Sequence, residues 1–127
     1  MGQQQLLLIV LGVIVVGIAV VVGINLFNAN AVSSNRDGVV SDLNNLGAMA
    51  QQYYKKPTSM GGGGNSFVNW EIPTTLVSTA NGTYDEGTPA AALVTITGTG
   101  VELGDDGTEI VHIATVTPTA IVVTKDN

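Results

Sequence analysis

From Leu6 to Ile24 the chain reads LLLIVLGVIVVGIAVVVGI, nineteen residues without a polar side chain, and the first charged side chain in the sequence is Arg36. As an α-helix, nineteen residues span roughly 29 Å, about the thickness of a bilayer's hydrocarbon core. The run is apolar around its whole circumference, so it is not the buried stripe of an amphipathic surface helix. Val and Ile are mediocre helix formers in water. Away from water, the backbone of a lone segment must satisfy its own hydrogen bonds, and helix is the conformation that does so. Three roles fit such a helix: a secretion signal, a membrane anchor, or the buried stem of an assembly.

The segments on either side help to choose. Ala29-Asn30-Ala31 has the small-x-small pattern of a signal cleavage site. The opening MGQQQ, however, carries no base, and the apolar run exceeds the usual signal core of about 7–15 residues. Beyond it, Val32, Val39, Val40, Leu43, Leu46, Ala50, Tyr53 and Tyr54 recur at spacings of three and four, with Ser, Asn, Asp and Gln between them. That spacing predicts an amphipathic helix over 32–56, stopped at Lys55-Lys56-Pro57 by bases suited to a helix C-terminus and a proline that cannot continue it. Gly38 and Gly47 weaken this helix, and three asparagines with two small residues predict a loosened stretch over Gly23–Asn30. Taken together, Gln3 to Tyr54 reads as one long helix, apolar all round in its first half and one-sided in its second. A simple anchor has no need of such a helix; a filament subunit does.

After PTSMGGGGNS, a glycine-rich crossover over 57–66, the hydrophobic period changes to two. Candidate strands are Phe67–Ile72, Thr75–Ala80, Ala90–Thr97, Thr108–Thr117 and Thr119–Lys125. Turn chemistry separates them at Asn81-Gly82, Asp85-Glu86-Gly87, Gly98-Thr99-Gly100, Gly104-Asp105-Asp106-Gly107 and Pro118. Short connections make neighbouring strands antiparallel. The expected fold class is therefore α+β: one long N-terminal α-helix packed on a C-terminal antiparallel β-sheet. Two regions follow: an apolar stem over 1–31 and a globular head over 32–127, with its sheet over 67–127.

Composition narrows the function. The net charge is −6, and the bases are Arg36, Lys55, Lys56 and Lys125, too few and too scattered to displace counterions from nucleic acid. Without cysteine there is no disulfide framework, thiolate nucleophile or thiolate metal site. His112 is the one histidine, in mid-strand, and no serine sits in a nucleophile-elbow pattern. The glycine-rich crossover lacks the Lys and Ser/Thr of a phosphate loop. Asp105-Asp106 with Glu109, and Asp85-Glu86, lack the spacing of a calcium loop. The expectation is no catalytic site, no metal and no cofactor. Asn81-Gly82-Thr83 fits an N-glycosylation sequon, although Asn-Gly is also a hairpin turn signal. Thr and Ser across the sheet could also carry O-linked glycans.

An uncharged apolar opening, an amphipathic continuation of the same helix, a glycine-rich crossover and an antiparallel sheet: this order resembles the type IV pilin superfamily, which includes pseudopilins and archaeal pilins. Members usually carry a short basic leader ending in Gly; here Met1-Gly2 precedes Gln3, so Gly2 is the matching leader cleavage point, without the basic residues. The glutamate of many bacterial members is replaced by Gln5, or by Leu7 if the chain is cut after Gly2, and their C-terminal cysteine pair is absent.

The resemblance implies a structural role: a helical homopolymer whose subunits wait in the cytoplasmic membrane, are cut by a prepilin peptidase and are extracted by a pilus assembly machinery. It makes Leu6, Leu7, Leu8, Ile9, Val10, Leu11, Gly12, Val13, Ile14, Val15, Val16, Gly17, Ile18, Ala19, Val20, Val21, Val22, Gly23 and Ile24 the filament core. Gln3, Gln4 and Gln5 become polar contacts to the helix starts of neighbours, whose first N–H groups lack intrahelical partners. The competing expectation is a membrane-anchored monomer displaying a small β-rich binding domain.

Overall fold

The computed structural model describes residues 2–127, arranged as one long α-helix followed by a five-stranded antiparallel sheet. Helix α1 runs Gly2–Lys55. It is followed by a 3-10 turn, Thr58–Met60, and by strands β1 (Ser78–Thr79), β2 (Gly82–Asp85), β3 (Val94–Leu103), β4 (Glu109–Val116) and β5 (Ile121–Lys125). The strands lie in chain order, β1-β2-β3-β4-β5, each antiparallel to the next. The fold class is α+β, as the change of hydrophobic period predicts. The chain forms two compact units that divide between Ser33 and Ser34.

In the first unit, α1 continues through Gly23–Asn30 without a break, which corrects the loosening expected there. The asparagines weaken the helix by less than about 1 kcal/mol each relative to Ala. Interrupting a helix costs a fresh nucleation on the far side, so such small penalties are carried rather than released.

In the second unit, the helix ends at Lys55 as the Lys-Lys-Pro signal predicts. Its buried positions are Asn35, Val39, Leu43, Leu46, Gly47 and Ala50, a stripe at spacings of three and four. Facing it are alternate residues of β3 (Val94, Ile96, Gly98, Gly100) and β4 (Ile110, His112, Ala114, Val116). Phe67, Leu43, Leu46, Ile96, Ile110, Val39, Val94 and Val116 are wholly buried, each stabilising the head by about 1.5–3 kcal/mol relative to exposure.

Several sheet expectations need correction. Phe67–Ile72 is not a strand: Asn65 and Asn69 have positive φ (66° and 67°) and Trp70 N–H donates to Phe67 O, so the segment turns. Phe67, Trp70 and Ile72 are nonetheless buried, so the apolar residues that suggested a strand are core plugs carried by a loop. Thr75–Ala80 shrinks to Ser78–Thr79, because Leu76 N–H turns back to Pro73 O. The turn at Asn81-Gly82 does close a hairpin, but Gly82–Asp85 after it is a strand that the alternation failed to reveal. Ala90–Leu93 is a turn, closed by Ala90 N–H to Leu93 O.

Gly98-Thr99-Gly100, expected as a turn, lies inside β3. A Cβ on Gly98 would stand 3.0 Å from Val39 Cγ1 and 3.0 Å from Tyr84 Cε1, and one on Gly100 would clash with Asn35 Oδ1 and Ile110 Cγ1. These glycines let the helix approach the sheet. Gly38 and Gly47 do the same from the helix side, against Asn81 and Ile121.

Candidate functional site

Every large side chain from Leu6 to Ile24 is exposed in the single chain, from 53% at Ile14 to 69% at Leu7. A Cβ added at Gly12, Gly17 or Gly23 would meet no atom within 4 Å. Fifteen large aliphatic residues therefore form one continuous apolar surface. Soluble monomers rarely expose apolar patches beyond a few hundred Å². This segment is long and apolar enough to cross a membrane, by length and composition. Gln3, Gln4 and Gln5 are exposed on the first turns of α1, which begins at Gly2 and carries no acid in its first turn. Their amides can both donate and accept, so they can serve the unpaired N–H groups of a helix start without adding a charge.

The head holds its helix by a different set of contacts, which sequence reasoning missed. Asp42 Oδ2 accepts hydrogen bonds from Tyr84 OH (2.6 Å), Thr79 Oγ1 (2.9 Å) and Asn81 Nδ2 (3.1 Å). Burial alone would raise the Asp42 carboxyl, but the bonds from Tyr84, Asn81 and Thr79 outweigh it and hold the group below the usual carboxylate range. Burial and the Asp42 bond push the Tyr84 phenol well above its ordinary value, so it stays a donor.

Asn35 extends the same network: its Nδ2 donates to Asn81 O, and its Oδ1 accepts from Val101 and Glu102 N–H. The signal for Asn35 was present in the sequence. It sits four residues before Val39 on the buried stripe, where an amide is tolerated only with partners. Asn81, the sequon residue, is therefore built into the hairpin, with its amide nitrogen bound to Asp42 and its side chain against Gly38.

His112 lies on the inner face of β4, 6% exposed, with Nε2 3.4 Å from Arg36 Nη1. Burial first, then the charges of Arg36 and Lys125, hold its pKa below the ordinary 6.5. Arg36 Nη1 also donates to the main-chain oxygen of Asn127 at 2.6 Å, and its Nη2 is buried without a partner among the described residues. This arrangement ties helix to strand. Among the described residues no three His, Cys, Asp or Glu side chains are grouped to hold a metal ion. Asp106 Oδ1 instead accepts from Thr108 N–H and Oγ1, and Asp105 pairs with Lys125 at 3.2 Å. A shallow groove of about 250 Å³ between Val68–Glu71 and Glu86–Pro89 brings Glu71 and Glu86 to one surface.

No family model, no curated protein and no solved structure matches this chain.

Proposed function

We propose that this protein is the structural subunit of an extracellular filament of the type IV pilus kind, polymerised through its N-terminal helices. The observation that carries the proposal is the continuous apolar surface of Leu6–Ile24, on a helix whose later part is one-sided and covered by its own sheet. A long N-terminal helix followed by an antiparallel sheet is compatible with a pilin fold.

In this reading the precursor spans the cytoplasmic membrane, a prepilin peptidase cuts after Gly2, and an assembly machinery extracts the stem into a bundle of copies. Gly12, Gly17, Ala19 and Gly23 let neighbouring stems approach closely. The heads face outward, where adhesion and glycan attachment belong. Burial of each aliphatic side chain contributes about 1.5–3 kcal/mol, so the polymer dissolves with difficulty.

The test is electron microscopy of material sheared from cells that make the protein, with N-terminal sequencing of the fibre subunit. Fibres built of this chain are expected. A protein that stays monomeric in detergent and sheds no fibres would instead support a membrane-anchored monomer.

A further inference from the structure

Asn81 closes the β1–β2 hairpin and is also the hairpin's grip on the helix. Its main-chain oxygen accepts from Asn35 Nδ2 at 2.7 Å, its Nδ2 donates to Asp42 Oδ2 at 3.1 Å, and its carboxamide covers Gly38, where a Cβ would clash with it. The next residue is Gly82, so the main-chain nitrogen that follows Asn81 has no side chain to shield it. That nitrogen and Asn81 Cγ belong to one short stretch of chain, and reactants joined in this way react at a high effective concentration. In the closed head the reaction is held off, because Gly82 is buried and the Asn81 amide is pinned between Asp42 and Gly38. The closure itself is small. Strand β1 has two residues, and an edge hairpin of this size opens locally without global unfolding.

We infer that Asn81 is a self-modification site whose conversion releases the hairpin from the helix. When the hairpin opens, the Gly82 main-chain nitrogen attacks Asn81 Cγ, its proton passes to the departing amide, and ammonia leaves as a cyclic imide forms. Water then adds to one imide carbonyl and breaks its C–N bond, giving aspartate or isoaspartate at position 81 without any oxidant or reductant. Aspartate puts an acceptor where Nδ2 now donates, against a carboxylate that already takes bonds from Tyr84 and Thr79. Like charges at that separation repel. No base stands ready to answer them: Arg36 is engaged with Asn127 O, Lys125 with Asp105, and Lys55 lies at the end of α1, roughly 20 Å beyond Asp42. Isoaspartate also lengthens the main chain by one carbon, which disturbs the Thr79–Gly82 pairing. The opened hairpin therefore does not reclose as before, and the modification accumulates as a record of opening.

Peptide mass mapping of residue 81 tests the site, in the full-length chain in detergent at mildly alkaline pH, with and without urea. Slow conversion in the native chain and fast conversion in urea are expected. Asp42→Ala should raise the native rate about tenfold, because it frees the amide and increases the open fraction. Equal rates in native and unfolded chains, an amide that persists in urea, an unchanged native rate in Asp42→Ala, or a glycan on Asn81 in protein from cells that make it would each overturn the site. Hydrogen exchange tests the release. Asn81→Asp should speed exchange of the hairpin amides about tenfold, and adding Asp42→Asn should restore protection, since amide and carboxylate then face each other with their roles exchanged. Wild-type exchange in Asn81→Asp, or no recovery in the double variant, would overturn the release.

Discussion

A Cβ added to Gly12, Gly17 or Gly23 of the stem would find empty space, whereas one added to Gly38, Gly47, Gly98 or Gly100 of the head would run into the opposing layer. The same contrast holds for the aliphatic residues. Val39, Leu43 and Ile96 of the head are sealed from solvent; Val10, Ile14 and Val16 of the stem are more than half exposed. One helix therefore serves two kinds of surface. In the head the chain itself supplies the complementary layer. In the stem the complement must come from outside, from lipid or from other copies.

The largest effect is expected from Val16→Asp. A carboxylate inside a bundle of stems must stay desolvated or become protonated, at several kcal/mol per subunit. Fibres should vanish while the head keeps its circular dichroism spectrum. Abundant normal fibres would sink the buried-stem account.

Gly100→Val should come next, and it acts on the head alone. The added side chain clashes with Asn35 and Ile110, and overpacking of this kind costs about 1–3 kcal/mol. The melting temperature of the head should fall, while Gly17→Ala leaves it unchanged. Equal melting temperatures for Gly100→Val and wild type would show that helix and sheet are not held at the described separation.

Asp42→Ala removes the acceptor shared by Tyr84, Thr79 and Asn81, and should cost the head about 2 kcal/mol by leaving the buried Tyr84 hydroxyl and two half-buried donors unpaired. Tyr84→Phe should cost less, since the other two donors keep their bonds. Chemical denaturation of the two variants checks both size and order.

The smallest effect is a pH dependence. His112 binds its proton less readily in the folded head than in the unfolded chain. The unfolded state therefore gains protons first as the pH falls below about 6.5, and stability declines from there until the folded imidazole also titrates. His112→Gln should flatten that limb. It should leave the later loss from Asp42, whose lowered pKa gives stability that is present above about pH 4 and disappears as the pH drops through its folded value. Denaturation midpoints between pH 7 and pH 3 measure both limbs; an unchanged slope near pH 6 in His112→Gln would contradict the packing given to His112.

How far the sequence could be read follows from the same contrast. The stem, the helix end at Lys55, and strands β4 and β5 were legible, because periodicity and Lys-Lys-Pro act locally. Apart from the loosening expected over Gly23–Asn30, where small helix penalties do not add up to a break, the main errors lie where one layer dictates the sequence of the other. Gly98 and Gly100 look like turn residues, yet they are strand positions emptied to admit Val39 and Asn35. Gly38 and Gly47 look like helix faults for the same reason. Phe67, Trp70 and Ile72 look like a strand because a loop that plugs a core uses the same residues as a strand that lines one. Asp42 carried no visible pattern, since its three partners come from β1, β2 and the turn between them, 37 to 42 residues away.

The central claim is that the head completes its own fold and the stem does not complete its own burial. Expression of Ala31–Asn127 alone tests this most directly, by circular dichroism and light scattering at pH 7. The fragment retains every charged side chain of the protein, and net charge favours solubility. The account predicts a folded, soluble monomer that does not polymerise, because the polymer contact proposed for the protein lies in the stem. A fragment that forms fibres would place assembly in the sheets, through pairing of exposed edge strands, and an unfolded fragment would show that the head depends on its neighbours; either would contradict the claim.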